Sequence, residues 1–236
     1  MSLIQKTALV TGGTKGIGYG IAEALIKEGV NVAITGRDEN TGKKAATALS
    51  KSGSAKVIFI RCDVRDLKQQ QDAVSKVVSE WGGLDVLVAN AGVGHFASIE
   101  DLSVEKWKET IDINLTGVFY SIKSALEALK KSKGYFITIS SLAGTNFFAG
   151  ASAYNASKFG LTGFTQAVML DLRKHGIKTS TIMPGSVATE FNDHKPGPED
   201  EWKIQIEDLG QMVVDLLKMH PRTLPSKIEV RPSVPK

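Results

Sequence analysis

Short apolar runs alternate with longer amphipathic segments along almost the whole chain. Each run has the length of a β-strand, and the seven runs are TALVTGG, NVAITGR, VIFIRCDV, LDVLVANAG, GYFITISS, IKTSTIMPG and KIEVRP. The segments between them carry apolar residues at spacings of three and four, which is typical of helices. Because the runs lack strict alternation, they predict strands that are buried on both faces. The pattern predicts an α/β fold: a doubly wound, mostly parallel, seven-stranded sheet with helices on both faces.

The composition fits this fold. The chain has 236 residues, of which 42% are hydrophobic, enough for the core of one α/β domain. No linker rich in Pro, Gly or Ser interrupts the pattern, so we predict a single domain over 1–236. The formal net charge is +4, but cations and anions are interleaved without long runs of one sign. We therefore predict no nucleic-acid partner.

Several other classes of protein do not fit the sequence. Cys62 is the only cysteine, and the four histidines have no metal-ligand spacing, so neither a disulfide nor a metal site is predicted. No apolar run approaches the ~20 residues of a membrane-spanning helix. The first residues lack the pattern of a signal peptide. We expect a cytoplasmic protein without a membrane partner.

A glycine-rich turn, TGGTKGIG at residues 11 to 18, follows the first predicted strand and begins the first helix. Glycines permit the close approach of a phosphate, and the free N–H groups at the start of the helix favour an anion. In this position the cluster predicts a dinucleotide site. Its spacing, Gly12-x3-Gly16-x-Gly18, differs from the usual G-x-G-x-x-G fingerprint.

Two cations indicate which dinucleotide binds. The second predicted strand ends at Arg37, and Lys15 lies inside the glycine turn. An acidic residue at this strand end would bind the ribose 2′-OH of NAD, whereas a cation accommodates the 2′-phosphate of NADP. The sequence therefore predicts NADP. Asp38, directly after Arg37, leaves NAD as the alternative.

Tyr154 and Lys158 are four positions apart on a predicted helix, so their side chains share one face. A free phenol has a pKa near ~10, and a neighbouring ammonium lowers that pKa by favouring the phenolate. Such a phenol can pass a proton to a carbonyl oxygen as hydride reaches the carbon. Ser141 ends a predicted strand, where its hydroxyl can stabilise charge on that oxygen. When Tyr154 and Lys158 are considered alone, the alternative is a partly exposed pair without a catalytic role. The position of Ser141 favours the catalytic interpretation.

A set of motifs runs in order over about residues 5 to 190: Thr11 to Gly18, Asp63, Asn90-Ala91-Gly92, Asn114, Ser141, Tyr154 with Lys158, and Pro184-Gly185. Together they resemble the short-chain dehydrogenase/reductase family, in which the glycine spacing seen here is normal. The resemblance implies a Rossmann-type fold and an NADP-dependent oxidoreductase that interconverts a ketone and a secondary alcohol. The ending LPSKIEVRPSVPK is similar to NADP-dependent reductases of small hydroxy acids. It weakens an interpretation as a 3-oxoacyl-[acyl-carrier-protein] reductase.

The resemblance also implies roles for individual residues. Tyr154 is the general acid/base, Lys158 lowers its pKa and holds the nicotinamide ribose, and Ser141 orients the carbonyl. Asn114 organises a water relay behind Lys158. Asp63 contacts the adenine, with a turn cap as the alternative. The cofactor-binding set is Gly12, Thr14, Lys15, Gly16, Ile17, Gly18, Arg37, Asp63, Val64, Asn90, Gly92, Tyr154, Lys158, Pro184, Gly185, Val187 and Thr189.

Residues 188–206 are predicted to form a substrate lid, because this segment mixes Pro, Gly and charge with two aromatic residues, Phe191 and Trp202. A mobile surface loop is the alternative. Phe147 and Phe148 follow Ser141 and form either a wall of the substrate pocket or part of the core or of a dimer contact. His95 is interpreted as a polar loop residue.

The predicted partners are a small carbonyl or hydroxy compound and, by resemblance, further copies of the chain in a homo-dimer or homo-tetramer. Two other functions stay in view. An NAD-dependent alcohol or sugar dehydrogenase is opposed by Lys15 and Arg37. A nucleotide-sensing protein without catalysis is opposed by the presence of Ser141, Tyr154 and Lys158.

Overall fold

The computed structural model describes residues 2–234, and these contain one sheet of seven strands. The strands are β1 (Thr7–Val10), β2 (Asn31–Gly36), β3 (Val57–Arg61), β4 (Val86–Ala89), β5 (Tyr135–Ile139), β6 (Lys178–Pro184) and β7 (Lys227–Val230). Their order across the sheet is β3-β2-β1-β4-β5-β6-β7, and each neighbouring pair is parallel. The predicted doubly wound α/β sheet is confirmed.

Helices cover both faces of the sheet. They are α1 (Gly16–Lys27), α2 (Glu39–Leu49), α3 (Leu67–Trp81), α4 (Val104–Ile111), α5 (Gly117–Ser132), α6 (Ser152–Leu172) and α7 (Ile206–Lys218). One apolar cluster joins the sheet to α1, α2 and α7 through residues such as Ile21, Leu49 and Val213. The other joins it to α3, α5 and α6 through residues such as Val77, Leu129 and Leu161. Within residues 2–234, no helix combines the length and apolarity that crossing a bilayer requires.

Helix α3 shows how local sequence sets an element's bounds. The Asp66 side chain accepts a hydrogen bond from the N–H of Gln69 at 3.1 Å, which satisfies one free donor of the first turn. At the other end Gly82 has φ +82, a left-handed conformation that glycine adopts without strain. Both helix ends thus follow from single residues, a capping carboxylate and a left-handed glycine.

The helix predicted from Ser103 to about Lys131 is interrupted. Between α4 and α5 the segment Asp112–Thr116 is a π-helix, which inserts a wider turn. The wide turn directs Asn114 inward, where it is fully buried. A functional candidate thus lies at an irregularity of the helix.

The order of the strands fixes where a ligand can bind. Strand β1 lies between β2 and β4, so the chain crosses to opposite sides of β1 and leaves a crevice at the carboxyl ends of β1 and β4. Open parallel sheets bind ligands at such a crevice.

Candidate active site

A cavity of about 1030 Å³ lies in this crevice. Its volume is at the upper limit of the roughly 300–1,000 Å³ that is usual for small-molecule sites. The glycine turn, the ends of β2, β4, β5 and β6, helix α6 and the loop after β6 all contribute to its walls. The predicted residues that line it are Gly12, Thr14, Lys15, Gly16, Ile17, Arg37, Asp63, Val64, Asn90, Gly92, Ser141, Tyr154, Lys158, Pro184, Gly185, Val187 and Thr189.

The start of α1 is open to this cavity. Lys15 is the N-cap residue and has an extended backbone, and among the described residues no side chain caps the helix. The first-turn N–H groups are therefore available to an anion, whose charge the helix dipole also favours. This end of the cavity suits a phosphate group.

Gly18 lies behind the turn and does not line the cavity, unlike the prediction. A Cβ built on Gly18 would stand 2.4 Å from Asn90 Nδ2 and 2.6 Å from the carbonyl oxygen of Gly12. Asn90 Nδ2 donates hydrogen bonds to the carbonyl oxygens of Thr11 and Gly12 at 2.9 and 3.1 Å. Gly18 is thus needed for helix α1 to pack on the asparagine that holds the turn.

The end of β2 carries two side chains with different partners. Arg37 lines the cavity. Asp38 is the N-cap of α2, where its carboxylate accepts a hydrogen bond from the N–H of Thr41 at 2.7 Å. Hydrogen bonds from Thr41 also lower the pKa of Asp38. The carboxylate that left NAD as an alternative is therefore occupied in capping a helix.

Asp63 forms a turn cap at the edge of the cavity, and its predicted contact with adenine stays a prediction. It lines the cavity, and its carboxylate accepts hydrogen bonds from the N–H of Arg65 at 3.0 Å and from Arg65 Nη2 at 2.6 Å. The hydrogen bond with the Arg65 side chain holds the pKa of Asp63 below its usual value. The turn cap is therefore present, beside a position that faces the cavity.

Tyr154, Lys158 and Ser141 come together on the cavity wall. Tyr154 and Lys158 lie one turn apart in α6, and Ser141 follows β5. Lys158 Nζ lies 5.7 Å from the centroid of the Tyr154 ring and donates a hydrogen bond to the carbonyl oxygen of Ile139 at 3.0 Å. The Ser141 side chain lies close enough to the Tyr154 phenol to lower its pKa, and both residues line the cavity. An oxygen atom of a substrate can reach both hydroxyls from the cavity.

Burial controls the pKa values of Tyr154 and Lys158. It lowers the pKa of Lys158 to about 8. It raises the pKa of Tyr154, and the hydrogen bond with Ser141 offsets only part of this rise. The net shift of the Tyr154 pKa in this structure is upward, and the lowering of that pKa by Lys158 stays a prediction. Removal of both groups from water outweighs their interaction, and the ammonium is directed at the backbone of Ile139.

Asn114 is behind the cavity wall and not part of it, unlike its neighbours in the predicted catalytic set. Its Nδ2 donates to the carbonyl oxygen of Val93 at 2.9 Å and to Ser157 Oγ at 3.0 Å. Its Oδ1 accepts from the N–H of Val93 at 2.8 Å. Asn114 therefore joins the loop after β4 to helix α6.

The loop after β6 lies over the cavity and contains two short 3₁₀-helices, Phe191–Asp193 and Pro198–Asp200. Its ends are joined by hydrogen bonds from the N–H of Ala188 to Ile204 O and from the N–H of Ile204 to Ser186 O, at 2.9 and 3.1 Å. The predicted range 188–206 is one residue too long, because Ile206 is the first residue of α7.

A buried carboxylate fastens this loop. Asp200 accepts hydrogen bonds from Lys203 Nζ at 2.6 Å, His194 Nε2 at 2.5 Å and the N–H of Gly197 at 3.2 Å. The hydrogen bonds with Lys203 and His194 lower the pKa of Asp200 to about 2. We call these four residues the Asp200 clasp. His194 and Lys203 also line the cavity.

The geometry agrees with a comparison against known families. A family model described as short chain dehydrogenase matches residues 6–199. The chain belongs to the short-chain dehydrogenase/reductase family. It is therefore an oxidoreductase that acts on alcohol or carbonyl groups, and a nicotinamide nucleotide is the typical cofactor of such enzymes.

Individual members of the family extend the comparison. Trans-4-hydroxycyclohexanecarboxylate dehydrogenase of Sinomonas cyclohexanicum is 37% identical over 190 residues, which cover 78% of this chain and 73% of that protein. D-beta-hydroxybutyrate dehydrogenase of Cupriavidus necator is 40% identical over 185 residues, which cover 78% and 71%. The alcohol dehydrogenase of Thermococcus sibiricus, solved with 5-hydroxy-NADP, is 28% identical with a TM-score of 0.92 over 98% of both chains.

The cavity of this short-chain dehydrogenase fits a nicotinamide dinucleotide. One end has the free N–H groups of α1 and the cations Lys15 and Arg37, a donor set suited to phosphates. The other end has the hydroxyls of Tyr154 and Ser141. Within residues 2–234, no group of three or more metal-ligating side chains is present.

Some residues of the site were not predicted individually. Glu190, His194 and Lys203 line the cavity from within the predicted lid segment, whose composition was their only signal. Phe96 and Arg231 also line it, from the loop after β4 and from the residue after β7. Their only sequence signal is their position after a strand. Phe148, for which a pocket wall was one alternative, lines the cavity, whereas Phe147 is 85% exposed. His95 Nε2 is hydrogen-bonded to Glu109 Oε2 at 3.0 Å, and His95 does not line the cavity.

Proposed function

We propose that this short-chain dehydrogenase is an NADP(H)-dependent oxidoreductase that interconverts a ketone and a secondary alcohol. The observation that carries the proposal is that Tyr154, Lys158 and Ser141 line the same cavity as the start of α1. Bound nicotinamide supplies or accepts the hydride. The substrate oxygen lies between the hydroxyls of Tyr154 and Ser141.

Tyr154 is the general acid in the direction of carbonyl reduction. Burial raises its pKa, so the phenol is protonated at neutral pH and ready to donate. Ser141 donates a hydrogen bond to the same oxygen and stabilises the negative charge that develops on it. In the direction of alcohol oxidation the same phenol oxygen receives the proton.

Lys158 supplies positive charge and a route for the proton. With a pKa of about 8, its amine is about nine-tenths protonated at pH 7. A Cβ built on Gly92 would stand 3.3 Å from Asn114 Oδ1 and 3.7 Å from Lys158 Nζ. The space above Gly92 thus adjoins both polar atoms, which supports a water between them. Through that water Lys158 exchanges a proton with solvent, which supplies or takes up the proton of each turnover.

Lys15 and Arg37 favour NADP over NAD. Both line the cavity near the end of β2, where the 2′-phosphate of NADP binds in such folds. Asp38 supports this choice, because its carboxylate caps α2 at Thr41. A carboxylate facing the ribose would repel a 2′-phosphate.

A screen of ketones with NADPH and with NADH, followed by the loss of reduced-nicotinamide absorbance, tests the proposal. We expect faster turnover with NADPH. In Tyr154→Phe we expect kcat to fall by roughly 10²–10⁴-fold with the Kd for NADPH preserved, and Tyr120→Phe is a control outside the cavity. Faster turnover with NADH would favour an NAD-dependent dehydrogenase. NADPH binding without turnover of any carbonyl would favour a nucleotide sensor.

Two further predictions complete the proposal. The chain forms one domain over 1–236, and it assembles as a homo-dimer or homo-tetramer. A single cooperative unfolding transition and a sedimentation mass of two or four chains are the expected results.

A further inference from the structure

Two phenylalanine rings pack against the ring of Tyr154 on the cavity, and a third packs against one of them. The Phe96 ring meets the Tyr154 ring edge-on at 5.3 Å between centroids, and the Phe191 ring lies 5.9 Å away on the loop after β6. Phe148 continues the row at 6.1 Å from Phe96. We call Phe96, Phe148 and Phe191 the aromatic wall. All three are at least 39% exposed and line the cavity, so their faces are open to a ligand.

The backbone is adapted to hold two of these rings. A Cβ built on Gly94 would stand 2.6 Å from Phe191 Cζ and 2.9 Å from Phe96 Cε2. Both distances are too short for real contacts, so a side chain at position 94 would displace the rings. Gly94 therefore lets a ring from the loop after β6 and a ring from the loop after β4 both lie against the backbone at this position.

Two cations that line the cavity are already paired with carboxylates. Lys203 is bound to Asp200 at 2.6 Å in the Asp200 clasp, which also holds His194. Arg231 is bound to Glu229 at 3.0 Å. A carboxylate on the substrate would have to compete with these acidic partners. Apart from Lys158 and Ser141, which serve the reacting oxygen, the surface beside Tyr154 is aromatic.

We propose that the substrate is a ketone attached to, or part of, a flat apolar ring, and that Phe96 and Phe191 determine this specificity. This proposal rests on the proposed function, because the carbonyl oxygen must meet Tyr154 and Ser141. With the oxygen there, the rest of the substrate lies against the aromatic wall. Ring-on-ring contacts favour a cyclic body over a linear chain of equal size.

The test compares acetophenone with 2-octanone, a linear ketone of equal carbon number, and with the charged analogue 4-acetylbenzoate. We expect the highest kcat/KM for acetophenone. Phe96→Leu and Phe191→Leu keep an apolar side chain but remove the ring, so KM for acetophenone should rise about three- to tenfold while 2-octanone changes little. Phe147→Leu is the matched control, since Phe147 is exposed and outside the cavity.

Equal kcat/KM for acetophenone and 2-octanone, or preference for 4-acetylbenzoate, would overturn the proposal. Binding of 1-phenylethanol to the NADP⁺ complex, followed by the fluorescence of Trp202 in the cavity, tests the wall without turnover. Weaker binding in Phe96→Leu but not in Phe147→Leu supports it, and equal binding in both contradicts it. Failure of the proposed function shows instead as no turnover of any ketone in the wild type.

Discussion

Lys158 Nζ donates a hydrogen bond to the carbonyl oxygen of Ile139, the last residue of β5, at 3.0 Å. The lysine, which belongs to α6, thereby joins helix and sheet beside the Tyr154 ring. It is only 5% exposed, and burial lowers its pKa to about 8. The same side chain therefore affects both the chemistry and the stability of the protein.

The free energy of unfolding should rise with pH through Lys158. In the unfolded chain a lysine titrates near ~10.4, so from about pH 8 to that value the unfolded state binds more protons at this residue. The gain reaches about 3 kcal/mol at most. We expect urea unfolding to show that the free energy of unfolding of the wild type, relative to that of Lys158→Met, is larger at pH 9.5 than at pH 7.5. A difference that is constant with pH would mean that the ammonium keeps its hydration.

Ser141→Ala should slow the chemical step more than it weakens cofactor binding. The variant loses a donor to the substrate oxygen, and kcat should fall by roughly 10²–10³-fold. It also loses the hydrogen bond that lowers the Tyr154 pKa, so the alkaline limb of the rate of reduction should move to higher pH. Stopped-flow rates across pH measure both effects. An unchanged alkaline limb would show that Ser141 does not influence the pKa of Tyr154.

Arg37→Ala should reduce the preference for NADPH. Loss of a charge-assisted contact with the 2′-phosphate is expected to raise KM for NADPH by roughly 10–100-fold and to leave NADH almost unaffected. Asp38→Ala is the matched control on the next residue. It removes the cap on Thr41, which costs about 1 kcal/mol of stability, without changing cofactor preference. Equal losses with NADPH and NADH would show that Arg37 does not contact the phosphate.

Gly18→Ala should destabilise the protein by roughly 1–3 kcal/mol and weaken NADPH binding. The added methyl would overlap Asn90 Nδ2 and the carbonyl oxygen of Gly12, and a backbone oxygen cannot move without distorting the turn. Gly83→Ala is a fair comparison, because a Cβ at Gly83 meets nothing within 4 Å. Thermal unfolding and NADPH titration measure both variants. Similar behaviour of the two would refute tight packing at Gly18.

The strands were predictable because a parallel sheet needs apolar residues on both faces, which leaves a clear pattern. The π-helical turn at Asp112–Thr116 was not, since it depends on distant contacts. Asn114 is drawn inward by Val93 and Ser157, which are 21 and 43 residues away in sequence. No local pattern records those partners.

The same distinction applies to the site. The pairing of Tyr154 with Lys158 follows from helix periodicity, and Ser141 follows from the end of a strand. The approach of Phe96 and Phe191 to Gly94 and Tyr154 depends on the paths of two loops, which the sequence does not encode locally. The net direction of the Tyr154 pKa shift is also not encoded locally, because it depends on burial, and burial is a property of the assembled cavity.

The partners of the Asp200 carboxylate all come from its own loop, namely His194, Gly197 and Lys203, and Ile204 ties the loop's far end back to Ser186 and Ala188. The hydrogen bonds that hold the Asp200 carboxylate thus lie within the loop, whereas Ile204 packs into the apolar core and the Phe191 ring against Tyr154. Such a segment can be exchanged between enzymes as a unit. If it were transferred to another enzyme of the same architecture, joined at residues 186–188 and 204, we expect it to keep its conformation and to place Phe191 over the new site.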